Sequence, residues 1–436
     1  MIRAFLTVIV LVFAPAARAE VKIQEVTSPG GITAWLVEDH TIPFTAMEIL
    51  FKGGASLDAP GKRGAINLMT GLIEEGAGDL DARGFAQARE GLAASFGFDV
   101  YDDSLSVSAK FLTENRDAAV DLLRAALIDP RFDQDAIDRV RAQVISIIRS
   151  EEKDQNDIAG TVLDQLAWGD HPYGSSSNGT VESVTALTRD DIFDARARVM
   201  TRDRVYVGVV GDITPQDLAP LLDHLLGELP ETGAPLPQGA EMLMGPGVTI
   251  VPFDSPQSVA VFGHQGIKRD DEDFFAAFIL NTIMGSSGFE SRLMQEVREK
   301  RGLTYGISSF LVPKDYGELY LGSFSSSNDR IAGAIKVIRD EWTRMATEGV
   351  TEEELDRTKT YLTGAYPLRF SGNGPIANIM VGMQIQDLPI DYIETRNDKL
   401  NAVTLDEVNA MAQRLLKPDE LHFIVVGQPE GLEPSN

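Results

Sequence analysis

Thr188-Arg189-Asp190-Asp191, followed at residues 204–211 by RVYVGVVG, returns as Thr404-Leu405-Asp406-Glu407, followed at residues 420–427 by ELHFIVVG. From the threonine to the closing glycine is 23 positions in both copies. Each threonine can cap a helix, and the acid three residues later completes a capping box by reaching back to the threonine backbone. Each apolar run has strand length and stops at a glycine, Gly211 or Gly427. A second match lies upstream, where Arg131-Phe132-Asp133-Gln134-Asp135-Ala136-Ile137-Asp138-Arg139 parallels Val350-Thr351-Glu352-Glu353-Glu354-Leu355-Asp356-Arg357. Both segments open long helices. Arg139 precedes Thr188 by 49 positions and Arg357 precedes Thr404 by 47. Two matches at nearly equal spacing indicate a chain built twice on one plan.

Strand and helix signals alternate within each copy. Leu105, Val107, Ala109 and Phe111 recur at period two, as do Val259, Val261 and Gly263. Helical periods cover residues 61–75, 81–95, 115–128, 133–153, 272–284, 329–347 and 351–366. Strands grouped together with helices on one side predict an α+β layer rather than a doubly wound sheet. Between the copies, residues 229–247 carry Pro230, Gly233, Pro235, Pro237, Gly239, Gly245, Pro246 and Gly247. Proline and glycine at this density predict an exposed linker. The expected organisation is therefore a leader at residues 1–19, an N-terminal half at 20–228, the linker at 229–247 and a C-terminal half at 248–436.

The leader combines Arg3, an apolar run from Ala4 to Phe13, and Ala17-Arg18-Ala19, the three-part pattern of a secretory signal peptide cleaved before Glu20. The run is too short for a membrane anchor, which needs roughly 20 apolar residues. Charges interrupt every later apolar stretch, so no membrane span is expected after signal removal, and the expected location is the periplasm. The net charge is −27 and becomes more negative once Arg3 and Arg18 are lost. Such a surface repels nucleic acid and anionic membranes. It suits a soluble protein that meets basic or unfolded peptides, and solubility alone explains it as well. The chain has no cysteine, so disulfides, thiol nucleophiles and zinc–thiolate sites are excluded. Its 436 residues suffice for two or three domains.

Residues 291–305 (SRLMQEVREKRGLTY) carry the clearest chemical signal. Phe289, Leu293, Met294 and Val297 share one face of a helix over 289–299, with Gly302 as a stop. Arg298 then sits in the last turn and Tyr305 at the entry of the next strand. A helix-to-strand turn can bring residues seven apart to one side, where a guanidinium and a phenol could donate to one carbonyl oxygen and stabilise an oxyanion. Taken singly, each residue has an ordinary explanation: an arginine suits a helix C-terminus, and a tyrosine suits a strand.

The longer run at residues 285–305 (GSSGFESRLMQEVREKRGLTY) resembles the C-terminal half of the pitrilysin/insulinase-type zinc peptidases, the inverzincins. That group includes the mitochondrial processing peptidases and bacterial two-component relatives, and the resemblance covers nearly the whole mature chain. It implies two homologous α/β-roll halves joined by a linker and closing as a clamshell with a partner. It implies that Arg298 and Tyr305 complete an active site. It also implies that Gly285, Ser286, Ser287 and Gly288 handle substrate, although this turn has only two of the usual glycines and reads equally as a helix-start loop.

The metal signature of the same family, H-x-x-E-H, is absent. Asn67, Thr70 and Gly71 fall where His, Glu and His would stand, and the third ligand falls near Ile147 or Ile148, with Glu151 or Glu152 as a remnant. No two of the five histidines (His40, His171, His224, His264, His422) lie at i and i+4. No G-x-S-x-G occurs, and Asn178-Gly179-Thr180 reads as an accidental glycosylation sequon. The expectation is a chain without its own metal or cofactor. It would work as the non-zinc subunit of a heterodimeric zinc peptidase, with zinc on a homologous partner and peptides as substrate. The alternative is a non-catalytic peptide-binding or assembly protein of the same fold.

Overall fold

A computed structural model describes residues 22–435; the leader expected at residues 1–19 lies outside them. The strands form two large sheets. The first runs in the order Gln24–Thr27, Thr33–Glu38, Val205–Gly211, Phe44–Lys52, Ser104–Leu112, Ser95–Val100. The second runs Gly247–Pro252, His422–Gly427, Gln257–Gln265, Glu318–Ser327, Ile307–Pro313. Apart from the extra edge strand at Gln24–Thr27, the two orders are the same. In each sheet the strand that ends in the repeated glycine makes the parallel pair, with Thr33–Glu38 in one and Gly247–Pro252 in the other. The duplication is thus visible in topology.

The repeated motifs act as the sequence predicts. Thr188 and Asp191 form a capping box on the helix Arg189–Val199, and Thr404 and Glu407 form one on Leu405–Leu415. Each cap satisfies backbone donors that the helix leaves open, worth about 1 kcal/mol. Gly211 and Gly427 close their strands at φ of 140° and 155°. A Cβ there would lie 2.3 Å from the Phe44 carbonyl oxygen or 2.1 Å from Ser258 Oγ, so only glycine fits.

Inner-face residues Met47, Ile49, Phe51 and Val209 of the first sheet pack on helices of its own half. The outer faces are covered by exchange. The helix Gln155–Trp168 of the N-terminal half lays Ala159, Leu163 and Trp168 on Leu319, Leu321, Ile424 and Val426 of the second sheet. The helix Asn373–Ile385 of the C-terminal half lays Ile376, Ala377 and Met380 on Trp35, Val37 and Val210 of the first. A glutamine fastens each. Gln155 Nε2 donates to the carbonyls of Gln257 (2.9 Å) and Val426 (2.8 Å), and Gln384 Nε2 donates to that of Val207 (3.0 Å). Neither helix belongs to the periodic stretches of the sequence. The apolar residues of Asn373–Ile385 are spread around the helix rather than confined to one face, so it carries no amphipathic signal. On the other helix, a Cβ at Gly160 would meet nothing within 4 Å. Gly160→Ala is expected to stabilise the chain by ~0.5–1 kcal/mol in urea unfolding, because alanine restricts the unfolded chain and favours helix.

Three expectations are corrected. Residues 229–246 form no regular element, Gly247 opens the strand Gly247–Pro252, and the segment is not a free spacer, because Leu229, Ala234 and Met244 are buried. Ala240 donates to Tyr316 (2.6 Å) and Leu243 to Ala167 (2.8 Å), which makes the segment a packed strap. The helix predicted over 61–75 is only Ala65–Thr70. The helix predicted over 289–299 is a 3-10 turn at Gly288–Glu290 followed by a π-helical turn at Met294–Glu299.

The halves also meet through side chains. Tyr173 donates to Asp103 Oδ1 (2.5 Å) and accepts from the Tyr316 backbone (3.1 Å). Lys314 pairs with Asp102 at 2.6 Å and lies 4.3 Å over the Tyr173 ring. Beside them, burial pushes the Asp164 carboxyl up to about 6, with Lys314 opposing the shift and Asp102 adding to it. A carboxyl whose folded pKa exceeds its unfolded value of 3.8 destabilises the fold above about pH 6, and the penalty vanishes below the unfolded value. Asp164→Asn is therefore expected to raise stability at pH 7.5 by about 2–3 kcal/mol. It should raise it little at pH 4, as read from urea midpoints at the two pH values.

Candidate functional site

The helix Ala65–Thr70 is held at its start by Asp58, whose carboxylate accepts from the backbones of Gly64 and Ile66, both at 2.8 Å. The Thr70 hydroxyl is buried and donates to the Ile66 carbonyl at 2.7 Å. Gly71 follows the last turn, where a Cβ would crowd Val140 at 3.1 Å. Asn67 Nδ2 donates to Asn178 Oδ1 (2.9 Å), and Asn178 Nδ2 donates to Glu151 Oε1 (2.6 Å). Burial raises the Glu151 pKa, the charge of Asp157 raises it further, and the Asn178 bond opposes both. Of the two positions for a third ligand, Ile148 is in the core and Ile147 is half exposed, one helical turn before Glu151.

These residues do not fit a zinc ion. Of the three positions corresponding to H-x-x-E-H, none supplies an imidazole or a carboxylate, and the Glu151 carboxylate nearby accepts from Asn178. Thr70 is committed to its own helix, and the amide of Asn178 ties Asn67 to Glu151. Among the described residues, no group of three or more His, Cys, Asp or Glu side chains is placed to share a metal ion. Asn178, which sequence reading set aside as an accidental sequon, is the linchpin of this corner. Both ends of its amide are engaged, and its backbone oxygen would lie 2.6 Å from a Cβ on Gly64. No sequence signal short of the sequon itself marked it.

The five histidines are dispersed in structural roles. His264 is fully buried and accepts from Trp342 Nε1 at 3.0 Å while its Nδ1 faces the Gln265 carbonyl at 2.7 Å. Burial drops it to about 4, so it is neutral. His40 lies 2.7 Å from Asp212, His224 lies 2.6 Å from Asp121, and His422 bridges the Gly245 carbonyl and Thr249. His171 Nδ1 accepts from the Tyr173 backbone at 3.2 Å.

In the C-terminal half the predicted residues lie in the two segments that precede the strand Ile307–Pro313. Arg298 lies in the last π-helical turn, which closes through Lys300 N–H to the Gln295 carbonyl (2.9 Å), an i to i+5 bond. The chain then turns back, with Gly302 donating to Arg298 (2.7 Å) and Leu303 to Val297 (3.0 Å). The Thr304 hydroxyl pins the next step: it lies 2.7 Å from the carbonyl oxygens of Gly306 and Ser325, either of which can take its one proton, and accepts from the Gly306 N–H at 3.1 Å. Tyr305, between these anchors, is 84% exposed. The strand Ile307–Pro313 begins at once, its first N–H resting on Met294 Sδ at 3.4 Å. The turn at residues 285–288 abuts the same strand, because a Cβ on Gly285 would lie 2.3 Å from Ser309 Oγ. Ser286, Ser287 and Gly288 are not buried, and Gly288 has a φ of 62°.

Sequence reasoning missed what stiffens this turn. Glu296, two residues before Arg298, is buried and pairs with Lys300 (2.5 Å), Arg301 (2.6 Å) and Arg344 (3.5 Å). Burial alone would raise its pKa, but the bonds from Lys300 and Arg301 pull it down to about 2. Arg292 makes a two-pronged pair with Glu354, both contacts at 2.7 Å. The spacing of Glu296 and Lys300 was the available sign.

Comparison with known proteins agrees with this geometry. Residues 33–181 match the model of insulinase (peptidase family M16), and residues 186–362 match that of the peptidase M16 inactive domain. The chain is 27% identical over 393 residues to the non-peptidase homolog YmxG of Helicobacter pylori, covering 89% of this chain and 90% of that one. It is 26% identical over 397 residues to an uncharacterized zinc protease of Mycobacterium leprae, covering 89% and 88%. A crystal structure of a peptidase M16 inactive domain from Pseudomonas fluorescens superposes with a TM-score of 0.88 at 27% identity, covering 95% of this chain and all of that one. A protease structure from Helicobacter pylori shares the fold at a TM-score of 0.85 and 17% identity, covering 93% of this chain. With its two halves matching the two domain models of one family in order, the chain belongs to the peptidase M16 (insulinase) family.

Proposed function

We propose that this chain is the non-catalytic subunit of a two-chain zinc peptidase. A homologous partner supplies H-x-x-E-H and zinc, and this chain supplies Arg298 and Tyr305 as donors to the substrate carbonyl. One observation carries the reading: Tyr305 is held out of the fold on a turn braced from both sides, while the zinc corner of the same chain is knitted shut by Asn178. A solvent-facing phenol on a braced turn has no packing role to explain it. Substrate would be an extended peptide laid along the edge strand Ile307–Pro313, where Ser308 and Phe310 are exposed, with the turn at 285–288 beside it. Export to the periplasm through residues 1–19 is part of the proposal. The name of the Helicobacter YmxG relative, a non-peptidase homolog, favours a second version in which the chain binds peptides without any share in turnover.

Purification of the native protein from its source tests the core of the reading. The expected result is a one-to-one complex with a homologue bearing H-x-x-E-H, zinc in that complex, and a mature chain beginning at Glu20. Recovery of this chain alone, with no such homologue attached, would refute it.

A further inference from the structure

A cavity of about 500 Å³ opens in the C-terminal half, between the strand Ile307–Pro313, the helix Phe274–Asn281 and the exchanged helix Asn373–Ile385. Its size lies in the range of small-molecule sites, roughly 300–1,000 Å³. Phe274, Phe278, Phe310 and Ile379 give it an apolar wall. Three arginines, Arg269, Arg369 and Arg396, also line it, and no Asp or Glu does, in a chain that has 66 acidic residues against 39 basic.

Arg396 is the unusual group. It is only 7% exposed, lies 4.3 Å over the Tyr366 ring and 5.9 Å from that of Phe278, and donates to Asn397 Oδ1 at 2.9 Å. Arg269 lies 4.4 Å over the Phe274 ring and donates to the Tyr392 hydroxyl at 3.1 Å. Among the described residues, neither these two nor Arg369 has a carboxylate within 4.0 Å, whereas Arg204, the other buried guanidinium, pairs with Asp203 at 3.0 Å. A buried cation without a counter-charge is costly unless something else supplies the charge. A guanidinium fork matches a carboxylate in shape, and aromatic walls favour an apolar body behind it.

We propose that this cavity binds a small ligand made of one free carboxylate on an apolar body, the carboxylate facing Arg396 and Arg369 and the body lying against Phe274, Phe278 and Ile379. Two sources share that chemistry: a fatty acid, and the C-terminus of a short peptide ending in an apolar residue. The cavity shares Ser286, Phe310 and the strand Ile307–Pro313 with the proposed peptide-binding face, but it lies within this chain, so its binding is tested without the partner.

Calorimetric titration of the full mature chain tests it with three probes: decanoate, an acetylated tripeptide acid ending in phenylalanine, and the same tripeptide as its C-terminal amide. At least one acid is expected to bind, and the amide to bind about 10-fold or more weakly, the factor for losing a charged hydrogen bond. Saturation by decanoate alone assigns the site to fatty acids, and saturation by the peptide acid assigns it to chain ends. Arg369→Ala changes an exposed residue and should weaken the acid about 10-fold. Gly382→Leu should abolish binding with the fold intact, because Gly382 lines the cavity and a Cβ there meets nothing within 4 Å. No binding of either acid up to about 1 mM, an amide that binds as well as its acid, or full binding by Gly382→Leu would each overturn the proposal.

Discussion

Arg298→Ala and Tyr305→Phe are each expected to lower peptide turnover by the assembled two-chain enzyme ~10²- to 10³-fold, the loss measured when one donor to a developing oxyanion is removed. Zinc content and assembly should not change. The argument rests on where the two side chains stand. Tyr305 is 84% exposed, so deleting its hydroxyl removes no internal contact. The turn that carries it is set by Thr304, Gly306 and Ser325, none of which is altered. Arg298 has a third of its side chain exposed, and the Glu296 cluster with its three cations in the same turn is also untouched. If both groups act on the oxyanion, kcat should fall while KM stays near its starting value, because the interaction is made in the transition state. If they only hold the peptide, KM should rise and kcat should stay. Steady-state kinetics on the purified pair, with zinc measured in the same samples, separates the two. Unchanged kinetics in both variants would remove the catalytic role and leave a binding part.

The architecture was legible wherever local chemistry repeats. Thr188 and Thr404, with Asp191 and Glu407 three residues on, announce their helices by capping alone. Gly211 and Gly427 announce their strand ends by a conformation only glycine accepts. The exchange of helices left no such mark. Gln155 and Gln384 are ordinary polar residues until a foreign strand carbonyl lies opposite, and a helix buried on several sides shows no stripe. The π-helical turn was also hidden, since Leu293, Met294 and Val297 suit a 3.6-residue period as well as a wider one. At the candidate site, the resemblance set Asn67, Thr70 and Gly71 where a zinc motif is expected. The bridge from Asn67 to Glu151 was not legible, because it depends on Asn178 arriving from more than a hundred residues away. Pattern reveals what a residue does to its neighbours in sequence. It is silent on partners delivered by the fold.

Gly208→Ile should destabilise the chain by ~3 kcal/mol, the upper end of what overpacking does. Gly208 sits inside the repeated run, and its counterpart in the second copy, aligned on the closing glycine, is Ile424. Both positions face an exchanged helix, but they are filled in opposite ways. A Cβ on Gly208 would lie 2.6 Å from the Ala377 carbonyl oxygen and 3.3 Å from Met380 Cβ. The obstacle is backbone, so the side chain cannot be accommodated by a rotamer change, and the helix Asn373–Ile385 must lift off the first sheet. Lifting it would break the bond from Gln384 to Val207 and expose Trp35, Val37 and Val210. Ile424 is fully buried under the helix Gln155–Trp168. Its truncation to alanine should leave a cavity at a loss of about 2–5 kcal/mol. The same structural position thus demands glycine in one half, where the backbone of the exchanged helix comes within 2.6 Å of a Cβ, and holds a large buried side chain in the other. Urea unfolding of both variants checks this, and Gly208→Ile unfolding within ~0.5 kcal/mol of the parent, as an ordinary surface substitution would, would show that the exchanged helix is not seated on that strand.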